Sequence, residues 1–145
     1  MDRFFSKSTS ETEKIACDFA KTLKGNEVLA LFGTLGMGKT AFVRGLASGL
    51  GNTSEISSPT FAIVHDYGGK PHLYHFDMYR ISTWDDLYST GFFDYLDMGG
   101  ILVVEWSENI ENVLPESYIR IEFEKGEEDN ERIISIYKPG RQIHK

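Results

Sequence analysis

The chain has 145 residues, 41% hydrophobic and 26% charged, with a formal net charge of −7. That length suits one soluble domain with a proper core, but is short for a nucleotide enzyme carrying a separate substrate domain. The acidic balance argues against stand-alone nucleic-acid binding, because Lys and Arg supply most of that affinity, so RNA would be held through a partner protein and no DNA partner is expected.

No run approaches the roughly 20 apolar residues of a membrane span, so no membrane contact is expected. Met1–Lys7 lacks the apolar stretch of a secretory leader. Cys17 is the single cysteine, which excludes an internal disulfide and fits a reducing, cytoplasmic location.

In chain order, Ser8-Thr9-Ser10-Glu11-Thr12-Glu13 combines hydroxyl caps with first-turn carboxylates and predicts a helix start. Ile15, Phe19 and Leu23, flanked by Ala16 and Ala20, recur at helical spacing and form its inward face. Lys24-Gly25-Asn26 ends it. The apolar run Val28-Leu29-Ala30-Leu31-Phe32 reads as a strand. It leads into Gly33-Thr34-Leu35-Gly36-Met37-Gly38-Lys39-Thr40, which has the spacing G-x-x-x-x-G-K-[ST], and then into a helix through Ala41 to Ala47.

A strand, a glycine turn and a helix together make this pattern a phosphate cradle. Gly33, Gly36 and Gly38 let the backbone approach an anion closely. N–H groups along Gly33, Leu35, Gly36, Met37, Gly38, Lys39, Thr40 and Ala41 are expected to face phosphate oxygens, aided by the positive end of the helix. Lys39 should reach the β- and γ-phosphates, and the Thr40 hydroxyl should hold Mg²⁺. The chain is therefore expected to bind a nucleoside triphosphate.

A polar loop from Asn52 to Thr60 follows, then two strand-like runs, Phe61–Tyr67 and His72–Tyr79. Gly68-Gly69-Lys70-Pro71 between them has hairpin chemistry, which predicts an antiparallel pair. Ser82-Thr83-Trp84-Asp85-Asp86-Leu87 is a capped helix start, with helix toward Tyr95 broken or bent near Gly91. Ile101–Trp106 suits a central strand buried on both faces. Ile110–Leu114 is a short helical turn stopped by Pro115. Tyr118–Phe123 and Arg132–Tyr137 alternate as paired strands, joined by the charged stretch Glu124–Glu131. The expected fold is α/β: one P-loop NTPase-like domain over residues 1–145, a mixed sheet with flanking helices and antiparallel hairpin additions.

An ATPase needs an acidic group near the metal, a γ-phosphate sensor and a means to position water. Glu105 closes the buried strand at its carboxyl end, where ligands of open α/β sheets gather, and is expected to face Mg²⁺. Ser57-Ser58-Pro59-Thr60-Phe61 lies about 20 residues past Thr40, a separation like that between a P-loop and a first switch. Thr60 could bond the γ-phosphate or metal, or the segment could be an ordinary Ser-Pro turn. In His75-Phe76-Asp77-Met78-Tyr79-Arg80, strand alternation puts His75, Asp77 and Tyr79 on one face and Phe76 and Met78 on the other. Asp77 could orient water or support the metal, with Arg80 on phosphate charge, or the two could form an ion pair. Trp106 could cover the nucleotide site or belong to the core.

Gly33–Thr40, Ser58–Phe61, His75–Arg80 and Glu105–Glu108 match, in order and spacing, the G-x-L-G-x-G-K-T, S-P-T-F, H-F-D-x-Y-R and E-W-S-E motifs of the TsaE/YjeE family. The chain resembles these P-loop ATPases of bacterial tRNA threonylcarbamoyladenosine biosynthesis over nearly its whole length. The resemblance implies an ATPase, weak alone and stimulated by partners, that acts with the TsaD and TsaB subunits on adenosine 37 of tRNA without transferring the carbamoyl group itself. It also implies Thr40 and Glu105 as Mg²⁺ ligands and Lys39, Thr60, Asp77, Glu105 and Trp106 as catalytic or nucleotide-sensing positions. Thr9 corresponds to the part of the family beside the adenine, and Arg132 marks a second approach to the nucleotide. Departures fall at Thr34, where relatives carry an acidic residue or Asn, at Met37 (commonly Ala) and at Ala62 (often Thr).

Two other classes compete. A small nucleoside or nucleotide kinase would need an acceptor pocket and a basic lid, and Arg44, Arg80 and Arg120 are scattered. A nucleotide-gated binding module would not need the full Lys39, Thr40 and Glu105 set.

Overall fold

The computed structural model describes residues 1–33, 38–51 and 64–139. Seven strands are found among them: β1 (Asp2–Ser6), β2 (Val28–Phe32), β3 (Val64–Asp66), β4 (Leu73–Asp77), β5 (Ile101–Glu105), β6 (Ile119–Lys125) and β7 (Arg132–Tyr137). The helices are α1 (Thr9–Ala20), α2 (Lys39–Gly49), α3 (Trp84–Ser89) and α4 (Phe92–Met98), with a 3₁₀ segment at Ser107–Val113. All seven strands join one mixed sheet in the order β1-β7-β6-β2-β5-β4-β3. Strands β4, β5, β2 and β6 run parallel, while β3 on β4, β7 on β6 and β1 on β7 are antiparallel. This is the expected α/β mixed sheet with hairpin additions.

The apolar runs at β2 and β5 become central strands in which every residue is buried. Alternation along them sorts the core into two faces. Leu29, Leu31, Leu73, Ile101 and Val103 pack with Phe19, Phe42 and Leu46 of α1 and α2. Val28, Tyr74, Phe76, Leu102 and Val104 pack with Leu87, Phe92 and Ile110 on the other side. Edge-to-face pairs lock each layer, Phe42 on Phe123 at 5.5 Å and Phe76 on Phe92 at 5.4 Å.

Helix α1 starts where the hydroxyls predict, with the Glu11 N–H donating to Ser8 Oγ at 3.1 Å. It lies close against α2 because Gly45 and Gly49 present no side chain. A Cβ on Gly45 would come within 2.2 Å of the Glu13 carbonyl oxygen, and one on Gly49 within 2.4 Å of that of Cys17. Arg44 Nη1 spans the same pair of helices to Glu13 Oε2 at 2.6 Å. The break expected near Gly91 separates α3 from α4, and Gly91 takes the left-handed φ of 77° that makes the corner.

Strand β1 has no counterpart in the sequence reading. Asp2-Arg3-Phe4-Phe5-Ser6 is short and charged at its start, and it becomes a strand by pairing with β7. Tertiary pairing, which local pattern does not encode, makes that strand.

Candidate functional site

The loop after β2 delivers Lys39 as the first residue of α2. Gly38 precedes it as N-cap with φ 89° and ψ 18°, a left-handed conformation that a side chain would strain. First-turn N–H groups of α2 have no partner within the helix, so this end is chemically suited to an anion. The Lys39 side chain folds inward and is only 4% exposed. Its Nζ donates to the Gly33 carbonyl at 2.7 Å and lies 4.5 Å from the centroid of the Trp106 ring. Burial pushes the Lys39 ammonium down from its ordinary value, while the carboxylates of Glu105, Glu108 and Asp77 pull it back up.

Asp77 and Glu105 come from the carboxyl ends of adjacent parallel strands, and Glu108 from the 3₁₀ segment that follows β5. Asp77 and Glu105 are Cα partners in the β4–β5 register, at the edge where α2 begins. Glu105 is 6% exposed, and its Oε2 is 2.5 Å from His75 Nε2. His75, fully buried, places its other ring nitrogen 3.3 Å from the Tyr67 hydroxyl. Asp77 is half-buried and accepts the Tyr79 N–H at 3.0 Å. Burial pushes its carboxyl up, the Tyr79 N–H opposes that, and the neighbouring Glu105 adds to it. The alternative Asp77–Arg80 ion pair does not form among the described residues, and Arg80 is exposed.

Of the two readings left open for Trp106, the structure bears on the one that assigns it to the core. The residue is half-buried against the second core layer, with its ring facing Lys39. It holds φ 59° and ψ 42°, the one non-glycine residue at positive φ among those described. A left-handed bulky residue costs free energy on the order of 1–3 kcal/mol, and such costs cluster at functional sites. Tyr79 packs on its ring at 4.8 Å between centroids. Glu108 closes the ring of groups by accepting the Gly33 N–H at 3.1 Å.

Asp77, Glu105 and Glu108 against one ammonium leave the pocket acidic, which suits a divalent cation. No group of three or more His, Cys, Asp or Glu residues able to hold a metal occurs among the described residues. Mg²⁺ takes one or two carboxylates and completes its shell with phosphate and water, a demand that Glu105 with Asp77 beside it can meet. The residues present therefore fit Mg²⁺ carried with a triphosphate.

Thr9 and Arg132, distant in sequence, line one cleft of about 190 Å³ with Ser8, Thr12, Asn130, the α2 N-cap Gly38 and Ala41 of α2. Asn130 ties that cleft together by donating to the Lys7 carbonyl at 2.8 Å. A wider groove of about 440 Å³ between α3 and the 3₁₀ segment carries Glu108 and Glu111 but no basic residue among its described lining residues, and is poorly suited to a triphosphate. Thr40 stands second in α2 beside Lys39. Thr34, Leu35, Gly36 and Met37 of the glycine loop lie outside the described residues, as do the segment Ser57–Phe61 with Thr60, and Ala62.

Three participants escaped the sequence reading. Alternation placed His75 on the site face, but nothing signalled its bond to Glu105, made across 30 residues. Tyr67 gave no signal, since one Tyr at a strand end is ordinary. Asn109, which donates to the Met78 and Tyr79 carbonyls at 2.7 and 3.1 Å, fixes the turn after Asp77 and was equally silent.

Comparison with known proteins gives a coherent result. The family model described as "Threonylcarbamoyl adenosine biosynthesis protein TsaE" matches residues 6–134. A protein of Treponema pallidum named "tRNA threonylcarbamoyladenosine biosynthesis protein TsaE" is 38% identical over 119 residues, 82% of this chain and 88% of that one. Its namesake in Bacillus subtilis is 40% identical over 124 residues, 85% of this chain and 77% of the relative. The crystal structure of Bacillus subtilis YdiB superposes with a TM-score of 0.77 at 34% identity, covering 96% of this chain and 86% of that one.

Proposed function

The chain belongs to the TsaE family, and from that premise we propose that it binds and hydrolyses ATP with Mg²⁺ in forming N6-threonylcarbamoyladenosine at position 37 of tRNA. The observation that carries the chemistry is the buried Lys39, set at the start of α2 among Asp77, Glu105 and Glu108. Its ammonium counters the charge of the β- and γ-phosphates, and the first-turn N–H groups of α2 bond their oxygens. Thr40 and Glu105 would hold Mg²⁺, which when bound neutralises charge on the phosphates. Asp77, half-buried and held by the Tyr79 N–H, orients the attacking water. Trp106 shields the lysine from solvent on one side. Thr9 and Arg132 form the side of the cleft toward the nucleoside.

The TsaD and TsaB subunits are the proposed partners, with tRNA reached through them. An acidic protein of net charge −7 is poorly suited to holding RNA alone. A kinase is disfavoured by the family. The test is phosphate release from ATP by the purified protein, alone and with the partner complex and tRNA. Slow release alone and faster release with partners is expected. Transfer of the γ-phosphate to a nucleoside acceptor in place of water would overturn the reading.

A further inference from the structure

Histidine at position 75 is an uneconomical residue for the middle of a sheet. It lies between Tyr74 and Phe76 in β4, opposite Val103 of β5, with no solvent exposure. An apolar side chain would fit these neighbours without a polar group to satisfy, and a buried polar pair is commonly less stabilising than an apolar one of equal bulk. Both ring nitrogens are nevertheless matched. Nε2 meets Glu105 Oε2 at 2.5 Å, and Nδ1 meets the Tyr67 hydroxyl at 3.3 Å. His65 stacks on Tyr67, 4.1 Å between centroids, so the tyrosine ring is itself held.

With a neutral imidazole beside an ionised carboxylate, which only accepts, Nε2 carries the hydrogen toward Glu105 and Nδ1 accepts from the Tyr67 hydroxyl. One oxygen of Glu105 is thereby pinned. Its other oxygen makes no hydrogen bond to a described residue.

We propose that His75 is a positioning residue for magnesium, holding Glu105 through Nε2 so that the second carboxylate oxygen faces the metal, with Tyr67 setting the imidazole tautomer. The inference rests on the reading of Glu105 as a magnesium ligand. Removal of a hydrogen-bond partner behind a metal ligand costs about 10- to 100-fold in metal affinity or activity.

His75→Gln and His75→Asn separate positioning from bulk. Glutamine carries an N–H donor about as far from the backbone as Nε2, whereas asparagine is too short to reach Glu105. Both are uncharged amides, so a purely structural role for the imidazole would affect them alike. The measurement is ADP affinity by titration calorimetry, in Mg²⁺ and in EDTA, on the full chain. The ratio of the two affinities reports the metal.

His75→Asn should lower that ratio by about 10-fold or more, with the EDTA affinity nearly unchanged, and His75→Gln should retain it. Equal ratios for the two variants, whether both lowered or both unchanged, would overturn the inference. If His75→Asn does not fold, His75→Met, apolar and of comparable bulk, replaces it with the same expected loss. Glu105→Gln separates the two levels of the reading. A ratio unchanged in Glu105→Gln removes Glu105 as ligand, and the inference with it. A ratio lowered in Glu105→Gln but intact in His75→Asn removes only the role of His75.

Discussion

Replacing Gly45 by alanine tests how closely the two site-bearing helices must pack. On an exposed helix the change would stabilise by about 1 kcal/mol, since glycine is the poorer helix former. Here the new Cβ would stand 2.2 Å from the Glu13 carbonyl oxygen and 2.8 Å from Ala16 Cβ. The first obstacle is backbone, so relief requires α1 to move away from α2 as a body. Overpacking of this kind costs about 3 kcal/mol at the upper end of its range, leaving a net loss of about 2 kcal/mol after the gain in propensity. For a chain of this size that corresponds to a fall in Tm of roughly 6 °C. The movement would also part Ser8 and Thr9 at the start of α1 from Gly38 and Ala41, so nucleotide affinity should weaken together with stability. Urea unfolding and thermal melting measure the first effect, and ADP titration the second. A stabilised Gly45→Ala protein with unaltered affinity would refute the close-packing argument.

Two further predictions concern pH. Burial pushes the Glu27 carboxyl up, but the N–H groups of Lys24, Gly25, Asn26 and Glu27 itself outweigh it and hold the group below its ordinary value. The resulting stabilisation is present above the ordinary carboxylate value of about 4.3 and is lost as pH falls through the lower folded value. Glu27→Gln should therefore melt lower than the parent at pH 7 and converge with it in strong acid; a constant difference across that range would count against the turn as described. Asp77 is shifted the opposite way, upward by burial, so its ionised form weakens the fold as pH rises through the folded value. Asp77→Asn should melt higher than the parent at pH 7, with the gain shrinking toward pH 3, while its phosphate release drops about 100-fold or more. A less stable Asp77→Asn protein at pH 7 contradicts the burial cause.

Much of the frame was legible because its signals are local or periodic. The glycine loop between an apolar run and a helix marked the β2–α2 unit, and the unbroken Ile101–Val104 run marked a strand buried on both faces. Strand alternation separated His75 and Asp77 from Phe76 and Met78. What escaped depends on pairing between distant segments. Strand β1 exists through β7, and His75 meets Glu105 only because β4 and β5 lie side by side in parallel register. The left-handed Trp106 was illegible for another reason: no propensity favours a bulky residue at φ 59°, and surrounding contacts impose it.

The most direct measurement is ATP affinity in Mg²⁺ for the parent chain and for Lys39→Ala. A buried ammonium bonded to charged phosphate contributes about 1.5–3 kcal/mol, equivalent to roughly 10- to 100-fold in affinity. Weakening of that size or more in Lys39→Ala is the predicted result. Equal ATP affinity in the two proteins would contradict the site at the head of α2.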